Sequence, residues 1–289
     1  MRTLLLSILG LLIMTSMRSD LPAYVIYNSK GKATDFEKLV KEASEADVVL
    51  FGELHNSPVC HWLELELTRS LYQIKGKQLI LAAEMFETDN ALIISEYLNG
   101  KIKDKSFETE AKLWPNYKTD YKPLLQFARD SSLMFIPTNI PRRYAALVNR
   151  DGFEGLDSLS SGAKYLIAPL PIDYDPELPG YKSMIEMMGE NGGDHVNDNL
   201  PKAQAAKDAT MAYNIARHAE KGKTLMHFHG TYHSDNYEGI VWYLKKLKPE
   251  LKILTINTSE QDEVDPLATE NEGIADFIII VPSSMTKTY

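Results

Sequence analysis

The sequence predicts an α/β fold: a mainly parallel β-sheet flanked by helices, with a smaller helical cap subdomain. Three observations carry this. Short apolar runs recur at 48–51, 78–83, 134–138, 224–228, 253–257 and 277–281, with the length and composition of buried strands. Most are separated by stretches with helical periodicity, the pattern of a doubly covered parallel sheet. Four of the runs also end in polar or ionisable residues: Glu53 and His55, Glu84, Asn139 and Arg142, and the histidines of 227–233.

In chain order, Met1-Arg2, an apolar stretch at 4–14 and a short polar segment at 15–19 have the form of a secretory leader, too short to span a bilayer comfortably. The expectation is an exported, periplasmic or cell-envelope protein of bacterial type, with residues 1–19 as leader and 20–289 as one α/β domain. No cysteine lies near the leader, so no lipid attachment site is expected. Residues 24–27 are β-prone and 28–31 form a turn. Thr34 with Glu37 reads as a capping box for a helix carrying Phe36, Leu39, Val40 and Ala43 on one face. The strand 48–51 stops at Gly52. Pro58 then opens a helix to about residue 74, Pro being suited to a first turn.

Strand 78–83 ends at Glu84 and is followed by a helix over about 89–98. The aromatic, polar stretch 99–120 reads as a loop with short helical pieces. A helix at 123–130, strand 134–138 and a helix to about 148 follow. Residues 151–222 read as a mostly helical insertion over the sheet, with strand signals weak apart from a run at 165–168 and a strong helix at 203–219. The α/β alternation resumes with strand 224–228, helix 237–247, strand 253–257, an acidic loop and a last strand at 277–281.

In a parallel sheet, strand ends of this kind share one edge. The sequence thus predicts one cleft with two carboxylates, at least two histidines and an arginine. Gly52-Glu53-Leu54-His55 and Gly230-Thr231-Tyr232-His233 are both G-x-x-H turns after a strand. Glycine is expected at each to let the backbone turn sharply, placing His55 and His233 across the cleft. Such a set either holds a divalent metal (Mn, Co or Zn) on His55, Glu84, His229 and His233, or uses a carboxylate-oriented histidine as general base on water. Arg142 would neutralise an oxyanion or clamp a carboxylate. His227 and His229 share a face, His227 as a packed residue and His229 in the cleft. His61 either orients His55 or contacts a ligand. His195, in the segment 189–199, either closes over the cleft or faces solvent.

Composition narrows the partners. A formal charge of −9 gives no basic surface for nucleic acid. Cys60 is the one cysteine, so no internal disulfide is possible, and its thiol is either simply buried or available beside His55 and His61.

GELHNSPVCH at 52–61, AAEMF at 82–86, NIPRRY at 139–144, Ala203-Gln204 with Asp208 and Met211-Ala212, and HGTYH at 229–233 together resemble the ChaN family. These are haem-binding, iron-regulated proteins related to the Tiki proteases and erythromycin esterases. The resemblance implies a parallel α/β core with a helical subdomain and a role in haem or iron uptake beside outer-membrane machinery. It also implies haem held by a tyrosine, with a homodimer interface. Tyr174, Tyr181 and Tyr213 are the candidate ligands, and His195 is a further cofactor contact. For the superfamily's active site it implies His55, Glu84, Arg142 and His233, with Glu53 beside the first histidine. The chain departs from the family in having Cys60-His61 where two histidines are common, and Asn56 where aspartate is common.

Overall fold

Six strands run parallel through the centre of the protein and carry the polar residues to one edge. The computed structural model describes residues 21–191 and 199–289; the expected leader at 1–19 and His195 lie outside the described residues. In chain order the elements are β1 (Val25–Asn28), β2 (Ala33–Thr34), α1 (Phe36–Ser44), β3 (Val48–Glu53), α2 (Pro58–Lys75), β4 (Leu79–Glu87), α3 (Ala91–Leu98), α4 (Asp104–Glu110), α5 (Lys122–Asp130), β5 (Met134–Asn139), α6 (Arg142–Asp151), the single turn α7 (Ser161–Lys164), α8 (Pro179–Asn191), α9 (Leu200–His218), β6 (Thr224–Gly230), α10 (Ile240–Leu247), β7 (Ile253–Gln261) and β8 (Phe277–Pro282).

The sheet order is β2-β1-β8-β7-β3-β6-β4-β5. From β8 to β5 every pairing is parallel, whereas β1 is antiparallel to both β8 and β2. The α/β expectation therefore holds, with an antiparallel edge added by the N-terminal strand pair.

Both faces are covered, which is why the central strands are apolar without alternation. Val49, Phe51, Leu81, Met226 and Phe228 point to the face packed by α1, α2 and α5. Val48, Leu50, Ile80, Ala82 and Leu225 point to the face packed by α6, α9 and α10. Each fully buried side chain of this size contributes about 1.5–3 kcal/mol, so the two cores hold the strand ends in place.

Three local expectations change. The cap of α1 is Asp35, whose carboxylate accepts from the Lys38 N–H at 2.7 Å, while Thr34 pairs with Ile26 in the sheet. The strand signal at 165–168 belongs to irregular chain: Ala168 N–H donates to the Thr210 hydroxyl at 3.2 Å instead of joining a ladder, and Ile167 is buried without strand pairing. Finally, β4 continues past Glu84 to Glu87, with a register irregularity after Ala83. Within the segment read as a helical insertion, α9 lies on the second face of the sheet against β5, α6 and α10.

Candidate functional site at the strand ends

The two G-x-x-H turns interlock. In the β3–β6 register Gly52 faces His229 and Glu53 faces Gly230. A Cβ on Gly52 would stand 2.8 Å from Thr231 Cα and 2.9 Å from Ile256 O. A Cβ on Gly230 would stand 2.7 Å from His55 Nε2. Each glycine thus makes room for the other turn. Neither has a positive φ (Gly230 has φ −57°), so close approach, and not the sharp turn expected from sequence, is the reason for glycine.

His55 Nδ1 donates to Glu53 Oε1 at 2.7 Å, which leaves the Nε2 lone pair toward Gly230 and the cleft. The ring is about one-third exposed and stands edge-on to Trp114 at 4.9 Å. Its carbonyl accepts from His61 Nε2 at 3.1 Å and from Asn116 at 3.0 Å. Burial pulls the His55 pKa down, but the hydrogen bond and charge of Glu53 outweigh it and raise it above the usual value. Glu53 also accepts from the Tyr121 hydroxyl at 2.7 Å. Burial would raise its pKa, yet hydrogen bonding to His55 and the neighbouring imidazoles hold it below the ordinary range.

Across the cleft His233 sits between two carboxylates. Its Nδ1 contacts Asp208 on α9, and its Nε2 lies 3.2 Å from Glu84 Oε1. Glu84 Oε2 accepts the Gly230 N–H at 2.9 Å, tying the ion pair to the turn. Against the effect of burial, the charges of Glu84 and Asp208 push His233 up to about 10. Glu84, although wholly buried, is held far below the carboxylate range by His233. His233 is therefore an imidazolium at neutral pH. The two histidines of the paired motif have different jobs: a fixed cation and a titratable ring.

His227 and His229 form a neutral chain behind this site. Thr138 Oγ1 donates to Ala83 O at 2.9 Å, so it accepts from His227 Nε2 at 2.7 Å. The lone pair of His227 Nδ1 then accepts from His229 Nδ1 at 3.1 Å, and His229 Nε2 accepts from the Ser234 hydroxyl at 2.8 Å. Burial and the nearby imidazolium drive His229 down to about 3, and His227 lies well below the usual value. The structure thus corrects the expectation that His229 faces the cleft: it is wholly buried, both ring nitrogens are committed, and it does not join His55, Glu84 and His233.

The cleft between the turns has a volume of about 740 Å³. Leu54, Leu113, Trp114, Ile140 and Met184 form its apolar wall, and Arg142 and Lys207 line it as cations. Asn139, buried at the end of β5, presents an Oδ1 with no hydrogen-bond partner. Of the tyrosines named from sequence, Tyr181 is buried with its hydroxyl donating to Asp208 at 2.8 Å, Tyr174 packs on Tyr181 and Phe153, and Tyr213 fronts a separate cavity of about 220 Å³. None of them lines the main cleft; Tyr232 does. Cys60 is wholly buried and its thiol is pushed up by burial.

Sequence reasoning passed over Asp208 and Gln204 as site residues. Their four-residue spacing puts both on one face of α9, and both meet His233. Asn116 and Asp120, from the stretch read as loop, and Tyr121 directly after it close the other side.

The family described as haem-binding uptake, Tiki superfamily, ChaN matches residues 39–244. The chain belongs to this family. The expected ChaN resemblance is thereby borne out. Among solved structures, ChaN of Campylobacter jejuni, described for cofacial heme binding, superposes with a TM-score of 0.66 at 18% identity, covering 89% of this chain and 96% of that one. At this identity the likeness shows a shared fold. A Bacillus cereus protein (14% identity, 89% and 94% coverage, TM-score 0.49) and an erythromycin esterase (13%, 90% and 83%, TM-score 0.46) also match, too distantly to carry an argument. No curated protein matches the chain. Among the described residues no helix is long and apolar enough to cross a membrane.

Proposed function

We propose that this protein is an exported haem-binding component of an iron or haem uptake system, and that the strand-end cleft receives the porphyrin. The observation that carries the proposal is the make-up of the cleft: an apolar wall with Trp114 and Met184 beside Arg142 and Lys207, the further lining lysine, Lys112, being paired with Glu87 at 2.6 Å. An apolar wall suits a porphyrin ring, and guanidinium and ammonium groups suit its propionates. Its volume lies within the usual range for ligand sites, whereas the cavity at Tyr213 falls below about 300 Å³. Tyrosinate is a known ligand of ferric haem iron. Tyr232 is the residue we assign to that role, since it lines the cleft and Tyr181 does not; the Tyr232 hydroxyl, which donates to the Gly180 carbonyl, would exchange that bond for the iron. Cofacial heme binding in the Campylobacter relative makes a homodimer the assembly to test.

Titration of the protein with haemin, followed in the Soret band, tests this reading. Saturable binding that is weakened at least about tenfold in Tyr232→Phe and in Arg142→Ala supports it. Absence of saturable binding refutes it.

One observation favours a second reading, a hydrolase. The Nε2 lone pair of His55, backed by Glu53, is placed as a general base on water beside Arg142. Turnover of ester or peptide substrates, lost in His55→Ala with haemin affinity unchanged, would establish it.

A further inference from the structure

Behind His55 lies a second cluster, of which the two readings use only Glu53. Glu53, His61 and Glu64 are buried, and one ligand atom from each lies within 4.8 Å of the others. His61 Nδ1 stands 3.2 Å from Glu64 Oε2 and 3.7 Å from Glu53 Oε2. Atoms bound to one ion at about 2.1 Å stand about 3.0–3.4 Å apart in octahedral or tetrahedral geometry, so closure by about 1–2 Å at most would seat a cation.

Two independent features point to a ligand. First, Glu53 Oε2 and Glu64 Oε1 are buried with no hydrogen-bond partner outside the pair, so at these atoms the two carboxyl groups meet only each other, while Glu53 Oε1 is fully used by His55 and Tyr121. Second, His61 Nε2 donates to the His55 carbonyl, which can only accept, so in the neutral ring the lone pair lies on Nδ1, facing the two carboxylates. A histidine whose other nitrogen donates to a backbone carbonyl is the usual arrangement of a metal-binding imidazole. His61 Nδ1 and the carboxyl groups of Glu53 and Glu64 therefore converge inside the protein; burial and the charge of Glu53 push the Glu64 carboxyl well above its usual range, so an entering cation would displace its proton. Asp120 Oδ2 adds negative charge 3.5 Å from His61 Nε2.

We propose that Glu53, His61 and Glu64 form a binding site for a single divalent first-row metal ion. One imidazole and two carboxylates suit Zn²⁺ or Mn²⁺, and two negative charges balance one such ion. Glu53 also lines the cleft, which provides the entry path. The same carboxylate then ligates the metal through Oε2 and orients His55 through Oε1. Apart from Glu53 the site shares no residue with the lining of the haem seat, and it does not depend on haem.

The test uses the full chain stripped with a chelator and titrated separately with Zn²⁺ and Mn²⁺ against a chromophoric competitor. The expected result is one equivalent bound, weakened at least about 100-fold in Glu64→Gln, beyond the about 10- to 100-fold typical of changes outside the ligand set. Should that variant fail to fold, ring ¹⁵N spectra of the wild-type protein decide: one equivalent of Zn²⁺ should shift the His61 Nδ1 signal and leave His229 unchanged. Absence of stoichiometric binding to the wild-type chain overturns the proposal, as does equal affinity in Glu64→Gln. A Zn²⁺ response confined to His55 and His233 would also overturn it by placing the ion in the cleft.

Discussion

Replacing Gly230 by alanine isolates the contact between the two turns. The backbone at Gly230, φ −57° and ψ 134°, is one that alanine adopts without strain. The new Cβ would lie 2.7 Å from His55 Nε2 and 2.9 Å from Cε1, so the ring must retreat by roughly 0.7 Å to reach ordinary contact. It has little room, being held by Glu53 at 2.7 Å and flanked by Trp114. The His55–Glu53 hydrogen bond should therefore be lost, at a cost of about 1.5–3 kcal/mol, partly offset by about 0.4–1 kcal/mol from the stiffer unfolded chain. Net destabilisation of about 1–2 kcal/mol is expected. The pH dependence gives the sign. Because the folded pKa of His55 is raised, its contribution is fully present below the unfolded value and fades as pH rises through the folded one. Urea unfolding should thus show a larger loss at pH 5 than at pH 9, and an NMR titration should show the His55 pKa falling toward the ordinary value. An unchanged His55 pKa, with stability at pH 5 within about 0.5 kcal/mol of wild type, would refute the reasoning.

Gly52→Ala should be more damaging, by about 3 kcal/mol or more, because its Cβ meets backbone on two sides and no side chain can swing away; thermal melting beside Gly230→Ala checks the order. Asp208→Asn removes one partner of a buried ion pair and should cost about 3–5 kcal/mol at neutral pH, with the His233 titration, near 10 in the wild type, moving down. Since His233 is raised, the stability it contributes is complete below about 6.5 and is lost as pH rises toward 10, so wild-type stability should decline across that window while Asp208→Asn declines less. Cys60, buried and with its thiol pushed up, should resist thiol reagents in the native protein and react only under unfolding conditions; rapid native labelling would contradict its burial.

The strands and their polar ends were legible because they depend on local pattern. A run such as 48–51 is apolar at every position only if both faces are covered, and the residues after it must then lie at the sheet edge. His55, Glu84 and His233 followed from that rule alone. The segment at 165–168 misled for the same reason: apolarity shows burial, but a strand also needs a free neighbouring edge, and Thr210 takes the amide that would have formed the ladder. His229 misled because a strand-end position fixes which residue is near the edge and not which neighbours claim its nitrogens.

The α/β class, the sheet edge that carries the site and the motif set of the ChaN family are all legible in the chain, since each rests on residues close together in it. That Asp208 and Glu84 jointly hold His233 as a cation, that His227 and His229 are neutral, and that His61 Nδ1 lies beside Glu53 and Glu64 follows from the packed structure alone. Protonation and tautomer depend on partners distant in sequence, Asp208 lying 25 residues from His233 and Glu84 149 residues from it, and on burial that no local pattern encodes. The paired glycines show both levels at once: their spacing is written in the chain, but the reason for them, each clearing space for the other turn, exists only where the two strands meet.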